Sequence, residues 1–191
     1  HYEEILQPPS SNHIMGTDNF GRDLFARLIE GGRVSLNIGF QVMIGTSILG
    51  VIIALLAGYY EMFDIIIMRF MDIMMAFPSL LLAIALLAIF QNSTIGVSVA
   101  LGIVYLPRTV RIVRSSVLTI REEAYIEAAH SIGTKNHVIL LKHILPGVLP
   151  VLIVQETFLF AYAILAEAGI SFVGVGVQPP NPSWGNILSD A

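Results

Sequence analysis

Apolar residues run along this chain in four long blocks, at about 34–60, 63–90, 95–113 and 144–177. A helix that crosses a bilayer needs roughly 20 mostly apolar residues, so each block is long enough for one span. Charged residues inside the blocks are few. Arg69 and Asp72 fall in the second block, and Arg108, Arg111 and Arg114 gather towards the end of the third. Those positions suit helix ends near lipid headgroups, where long basic side chains reach the polar layer. Gly39, Gly45 and Gly50, with Ser47 and Ala54, give the first block a small-residue surface for close helix packing.

The segments between the blocks have patterns of their own. In "GTDNFGRDLFARLIEGG", Thr17 or Asp18 offers a helix cap. Phe20, Leu24 and Leu28 recur every four residues, with Phe25 and Ile29 beside them and Arg22, Asp23 and Glu30 between. The pattern predicts an amphipathic helix lying in the outer interface, ended by Gly31 and Gly32. Residues 1–33 therefore read as an extracytoplasmic segment rather than a span. The stretch "AYIEAAHSIGTKNHVILLKHILPGVLP" is the main polar interruption. Ala124 to Ile132 are good helix formers, and Tyr125, Ala128, Ala129 and Ile132 share one face. Gly133 sits where a C-cap belongs, and Asn136 is placed to cap a second short helix, His137 to His143. The spacing predicts two short helices joined at a glycine.

Composition moves the reading from helical to membrane-embedded. Hydrophobic residues make up 55% and charged residues 13%, with a mean hydropathy of +0.76. A soluble domain carries about 25% charge, so much of this surface faces something other than water. A buried soluble bundle would need far more polar surface. The first residues, "HYEEILQPPSSNH", have neither a basic start nor an apolar core, and read as mid-protein rather than as a signal peptide.

Charge then orients the chain. Arg22, Arg27 and Arg33 lie before the first block, whereas Arg69, Arg108, Arg111, Arg114, Arg121, Lys135 and Lys142 fall on the other side. Basic residues concentrate on the cytoplasmic side, so the 121–143 loop is expected in the cytoplasm. The turn "QNSTIG" and the tail 178–191 are then expected outside.

Candidate chemistry is sparse. No Cys is present, which excludes a disulfide framework, a thiol nucleophile and a cysteine metal site. A net charge of −4 makes no case for nucleic acid. The sequence holds no G-x-x-x-x-G-K-[ST] phosphate loop, so the chain is not expected to hydrolyse ATP. His1, His13, His130, His137 and His143 lack zinc-type spacing. Ionisable groups inside spans remain as functional candidates. Glu156, beside Gln155, lies near the middle of the last block, Glu167 further out, and Asp72 a turn from Arg69. Each either lines a polar path or bonds a neighbouring helix, and Arg69 and Asp72 are placed to pair. Trp184 suits an outer-interface anchor.

One motif narrows the choice. Glu127-Ala128-Ala129, three residues, Gly133, nine residues, then His143, Ile144, Leu145 and Pro146 resembles the cytoplasmic E-A-A-x3-G-x9-I-x-L-P loop of the membrane subunits of ABC importers. His143 stands where the general pattern has Ile, as in the peptide and nickel branch. "GTDNFGRDLFARLIEGGRVSL" and "AILAEAGISFVGVGVQPPNPSWGNIL" are similar to two further segments of that branch. The resemblance covers nearly the whole chain and is nearest to the C-type permease subunit of dipeptide, oligopeptide or nickel importers.

The resemblance implies an all-α membrane protein, a polytopic helix bundle of the type I ABC importer kind. That family has six spans per subunit, so four are expected here, one preceding His1 and one following Ala191. It implies a bacterial or archaeal inner-membrane location and a second homologous permease subunit. Two cytoplasmic ATPases that bind ATP and Mg, and an extracytoplasmic substrate-binding protein, complete the implied assembly. The chain itself binds no cofactor in this reading. Glu127, Ala128, Ala129, Gly133, His143, Leu145 and Pro146 would meet an ATPase, and Trp184 lies where the binding protein would dock. The cargo is expected to be peptide, with nickel as the alternative. An ATP-independent secondary transporter and a non-transporting scaffold are the competing functions.

Overall fold

The computed structural model of the chain describes residues 5–90, 93–178 and 180–190. His1, the Gln91-Asn92 part of the "QNSTIG" turn and Pro179 of the tail lie outside the described residues. Within them, regular structure is helical apart from an isolated antiparallel bridge between Thr17 and Asp23. The order is α1 (Leu24–Tyr59), α2 (Glu61–Met75), α3 (Ser79–Phe90), α4 (Thr94–Arg121), α5 (Ala124–Ser131), α6 (Asn136–Val138), a π-helical turn (Ile139–Ile144), α7 (Leu145–Phe172) and α8 (Trp184–Asp190). Three continuous helical stretches are long and apolar enough to cross a membrane: Leu24–Tyr59, Thr94–Arg121 and Asn136–Phe172. Helices α2 and α3 meet that criterion only together, as a bent pair.

The predicted boundaries that moved did so through backbone chemistry or tertiary packing. The interfacial helix expected before residue 33 is the beginning of α1, which runs through Gly31 and Gly32 without ending. These glycines are there for close approach. A Cβ on Gly31 would stand 3.2 Å from the Ser183 carbonyl carbon, and one on Gly32 would stand 2.9 Å from the Trp184 indole. Asp18 caps a turn rather than a helix, its Oδ1 accepting the N–H groups of Phe20 and Arg22 at 2.8 and 2.9 Å. Asp23 takes the cap position, accepting from the Phe25 N–H at 3.0 Å.

The second block breaks at 76–78. Pro78 disfavours helical backbone at Phe77, and the helix restarts at Ser79. The third block continues past residue 113 to Arg121, so its arginines sit inside a helix rather than at its end. The separate helix expected over 137–143 is instead the start of the last long one, with Asn136 inside the helix and Lys135 at its cap position. Pro146 has no N–H for the Lys142 carbonyl, and its ring would crowd that carbonyl in a regular helix. The π-helical turn at Ile139–Ile144 gives the wider spacing that the proline needs.

The chain divides into two compact units, His1–Val42 with Leu80–Leu101 and Ala161–Ala191, and Met43–Ser79 with Gly102–Phe160. The buried residues of the first include Ile38, Val42, Leu87, Val97, Leu101 and Ile170. The core of the second joins Ala54 and Leu55 of α1, Met71 of α2, Val110, Val113 and Val117 of α4, and Val148 and Leu152 of α7. Gly50 and Gly58 let α1 approach α4: a Cβ there would meet Thr109 Cγ2 at 2.6 Å and Val117 Cγ1 at 2.5 Å. The packing expected of the small-residue surface is thus found at Gly50 and Ala54, while Gly45 faces open space.

Candidate functional site

The 121–146 segment is tied into the second unit from both ends. Ile126 and Ala129 of α5 belong to the same core as Ile139, Leu140 and Ile144 of the π-helical turn. Ile126 is 1% and Ile139 0% exposed, and burial of each contributes roughly 1.5–3 kcal/mol. The inward face is therefore Ile126–Ala129, and of the Tyr125–Ala128–Ala129–Ile132 set only Ala129 is buried. Tyr125 and Ile132 are 50% and 83% exposed, and Ala128 and Glu127 lie outward beside them.

Gly133 closes α5 as the sequence predicts. Its φ is +80°, a conformation that glycine adopts without a Cβ penalty. The Thr134 N–H donates to the Ala129 carbonyl at 3.1 Å and the Gly133 N–H to the His130 carbonyl at 2.9 Å, the paired bonds of a Schellman ending. Two contacts lash the segment to the end of α1. The ring of His130 stacks on that of Tyr59 and shares a 3.2 Å hydrogen bond with its hydroxyl. Arg121 Nη1 donates to the Gly58 carbonyl at 3.0 Å, one of the last carbonyls of α1, which has no partner within its own helix. Of the remaining motif residues, His143 and Leu145 are half-buried, Leu145 against the core, and Pro146 is exposed.

The polar groups expected in spans separate into three sets. Glu156 is 4% exposed and accepts hydrogen bonds from Thr46 Oγ1 on Oε2 and from Thr109 Oγ1 on Oε1, both at 2.8 Å. It bonds neighbouring helices, joining α7 to α1 and α4, with Gln155 buried beside it. Glu167 is fully buried and accepts from Ser35 Oγ and Ser171 Oγ, both at 2.7 Å. Ser171 Oγ in turn accepts the Val177 N–H at 3.1 Å, which holds the chain leaving α7 against the helix. Asp72 does not pair with Arg69. It takes Arg111 Nη2 at 2.5 Å, both side chains about half exposed. One turn along α4, Arg114 grips Asp64 through both of its carboxylate oxygens, the fork geometry that suits guanidinium and carboxylate.

Trp184 opens α8. Its indole N–H donates to the Leu28 carbonyl at 3.1 Å and its ring lies over Gly32, leaving the residue 39% exposed. An ion-pair knot secures the same region. Arg27 reaches Asp18 at 2.5 Å and Asp190 at 3.1 Å, and Arg22 reaches Asp18 at 2.7 Å. Burial raises the Asp18 pKa, but the N–H groups of Arg22 and Phe20 and both guanidinium groups outweigh it and hold the carboxyl below its ordinary value.

The sequence reading did not single out Thr46, Thr109, Ser35 or Ser171 as carboxylate partners, nor Tyr59 and His130 as a pair. A hydroxyl isolated in an apolar block was the one available signal for the first four. Nothing in the spacing of Tyr59 and His130, 71 residues apart, marks them as neighbours.

Residues 47–191 match the family model described as the inner membrane component of binding-protein-dependent transport systems. The chain is 49% identical over 184 residues to a putative peptide transport system permease protein of Brucella suis, an alignment covering 96% of this chain and 62% of that protein. It is 48% identical over 187 residues to a dipeptide transport system permease protein of Alkalihalophilus pseudofirmus, covering 97% and 62%. A glutathione transport system permease protein of Escherichia coli is 42% identical over 192 residues, covering 100% and 63%. The chain thus spans under two thirds of the length of these curated relatives. With its long apolar helices it is a multi-pass membrane protein, and it belongs to the family of binding-protein-dependent transport system inner membrane components.

Proposed function

We propose that the chain forms the membrane pathway of an ATP-driven importer of short peptides and meets a cytoplasmic ATPase through the 121–146 segment. The observation that carries the coupling role is the outward face of α5. It presents exposed Tyr125, Ala128 and Ile132 beside the exposed carboxylate of Glu127, on a helix whose other face is locked into the core at Ile126 and Ala129. An 83%-exposed isoleucine on an anchored helix suits a partner's apolar groove, and the small Ala128 admits close approach. A rigid helix transmits a rigid-body movement of that partner better than a loose coil.

In this reading a second homologous permease completes the pathway. Two ATPases bind ATP and Mg and supply the energy, and an extracytoplasmic binding protein delivers cargo. The chain itself is non-catalytic. Its cytoplasmic side is the one carrying the seven basic residues and α5. Short peptides are favoured over nickel because the similar permeases are named for peptide, dipeptide and glutathione transport.

The test is reconstitution of the full-length subunit with its permease partner, both ATPases and the binding protein in proteoliposomes. ATP-dependent uptake of a labelled dipeptide is expected, with calorimetry showing that the binding protein takes peptides rather than Ni²⁺. Uptake that proceeds equally without ATP would show a secondary transporter instead. A binding protein that takes only Ni²⁺ would move the cargo to nickel.

A further inference from the structure

Helix α4 carries a polar face that neither the ATPase contact nor the buried carboxylates use. Arg108, Arg111, Ser115 and Thr119 are all exposed at spacings of three, four and four residues, which places them in one row along the helix. Arg108 lies halfway along the 28-residue helix. That helix is about 42 Å long at 1.5 Å per residue, against a hydrocarbon layer of about 30 Å. The exposed side chains of the other long helices in this unit are of the opposite kind. Ile44, Ile48 and Ile52 of α1 and Ile153, Val154 and Phe158 of α7 are each between 44% and 64% exposed, as lipid contact requires.

A row of guanidinium and hydroxyl groups cannot face hydrocarbon without large cost, so such groups face water or protein. Two observations favour water. The Arg111–Asp72 pair is about half exposed on both sides, and closing a protein surface over it would strip its hydration. The row also borders a groove of about 530 Å³ whose wall includes Arg111, Ser115, Ser116, Thr119, Gly147 and Val151. Gly147 lets α7 approach α4 at that wall, since a Cβ there would stand 2.8 Å from Ile120 Cδ1.

We infer that the α4 face formed by Arg108, Arg111, Ser115 and Thr119 lines the aqueous pathway and offers hydrogen bonds to a peptide in transit. The inference rests on the transport reading above and sharpens its cargo. The Ser115 hydroxyl donates and accepts, the Thr119 hydroxyl accepts while donating to the Ser115 carbonyl at 3.1 Å, and guanidinium groups donate only. This set matches the carbonyls and terminal carboxylate of a peptide. It does not match a divalent metal ion, which two guanidinium groups repel and for which the carboxylate paired to the row, Asp72 of α2, is already engaged by Arg111.

These 191 residues contain no Cys, so an introduced thiol has no native thiol among them, and any Cys elsewhere in the subunit is replaced by Ser. Ser115→Cys and Thr119→Cys are made separately in the full-length subunit, assembled with its partners in vesicles, with Ile153→Cys as the lipid-facing control. Each is treated with a charged, membrane-impermeant thiosulfonate from the side of the 121–146 loop. Thiols at 115 and 119 are expected to react at least about tenfold faster than at 153, because an apolar setting that raises a thiol pKa by one unit already removes most of the reactive thiolate. A saturating dipeptide presented with its binding protein and ATP is expected to slow both reactions. If 115 and 119 are as inert as 153, the pathway assignment is overturned. Uptake by the unmodified transporter in the same vesicles separates the two claims. Uptake with inert thiols overturns the pathway assignment alone, and no ATP-driven uptake at all overturns the transport reading.

Discussion

The imidazole of His130 lies nearly parallel to the ring of Tyr59, with centroids 6.1 Å apart, planes 20° apart and Nε2 3.2 Å from the hydroxyl. The pair joins the exposed helix α5 to the end of α1. Tyr59→Phe keeps the stacking and removes one hydrogen bond, about 0.5–1.5 kcal/mol. The expected result is up to roughly tenfold faster amide hydrogen exchange in 124–131, with exchange in α4 and α7 unchanged. In the reconstituted transporter more ATP should be hydrolysed per peptide imported. Unchanged exchange in α5 would mean that burial of Ile126 and Ala129 alone holds the helix.

Glu127 is exposed in the first turn of α5 and makes no side-chain hydrogen bond among the described residues. Glu127→Lys should therefore leave stability within about 0.5 kcal/mol while abolishing ATP-driven uptake. Gly133→Asp acts differently, since a side chain at φ +80° costs roughly 1–2 kcal/mol and loosens the Schellman ending. It should uncouple transport and also raise exchange at Thr134. Normal uptake by both variants with both ATPases present sinks the docking role.

Glu156 has both carboxylate oxygens engaged by threonines. Glu156→Leu strands the buried Thr109 hydroxyl at about 1–3 kcal/mol, while Thr46 keeps its 3.0 Å bond to the Met43 carbonyl, and thermal unfolding in detergent should register the loss. Glu156→Gln retains an acceptor and should fall near wild type in both stability and uptake. A Gln variant that unfolds normally but imports nothing would show that the carboxylate charge serves transport directly.

Asp18 gives its ion-pair knot with Arg22 and Arg27 an acid dependence. Its folded pKa lies below the ordinary value of 3.8. The stabilisation is therefore complete above that value and is lost as pH falls through the lowered one. Asp18→Asn removes the Arg22 and Arg27 pairs, so it should melt lower than wild type at pH 7. The two proteins should converge once the carboxyl of the wild type is protonated. A gap that persists unchanged into strong acid would assign the difference to packing.

Trp184 is the sole tryptophan, so its fluorescence reports on Gly32. Gly32→Ala puts a methyl 2.9 Å from the indole. The ring must shift away from α1 and weaken its 3.1 Å bond to the Leu28 carbonyl, and a red shift of the emission is expected. An unshifted spectrum would mean that the segment 183–187 moves as one body with its tryptophan.

The helical character, the apolar blocks and the glycine that ends α5 were all readable along the chain. They depend on interactions within a few residues: periodicity, length, and the free φ of a glycine. The EAA pattern was readable because its residues keep fixed spacings within 127–146. Boundaries were less so, since a glycine pair signals a cap and a tertiary close approach with the same letters. Gly31 and Gly32 became packing sites only once residues 183–187 lay against α1.

The polar residues show the same division in sharper form. That Glu156, Glu167, Asp72 and the α4 arginines are unusual follows from the sequence, because a charge among apolar residues is costly wherever the chain goes. Which of them is satisfied internally and which remains open to a partner or to water depends on groups brought in from 39 to 132 residues away. Thr109 and Thr46 arrive at Glu156, Ser35 at Glu167, and Arg111 at Asp72. Such pairings are properties of packed helices. No local propensity encodes them, and only the folded arrangement separates a buried latch from an exposed polar face.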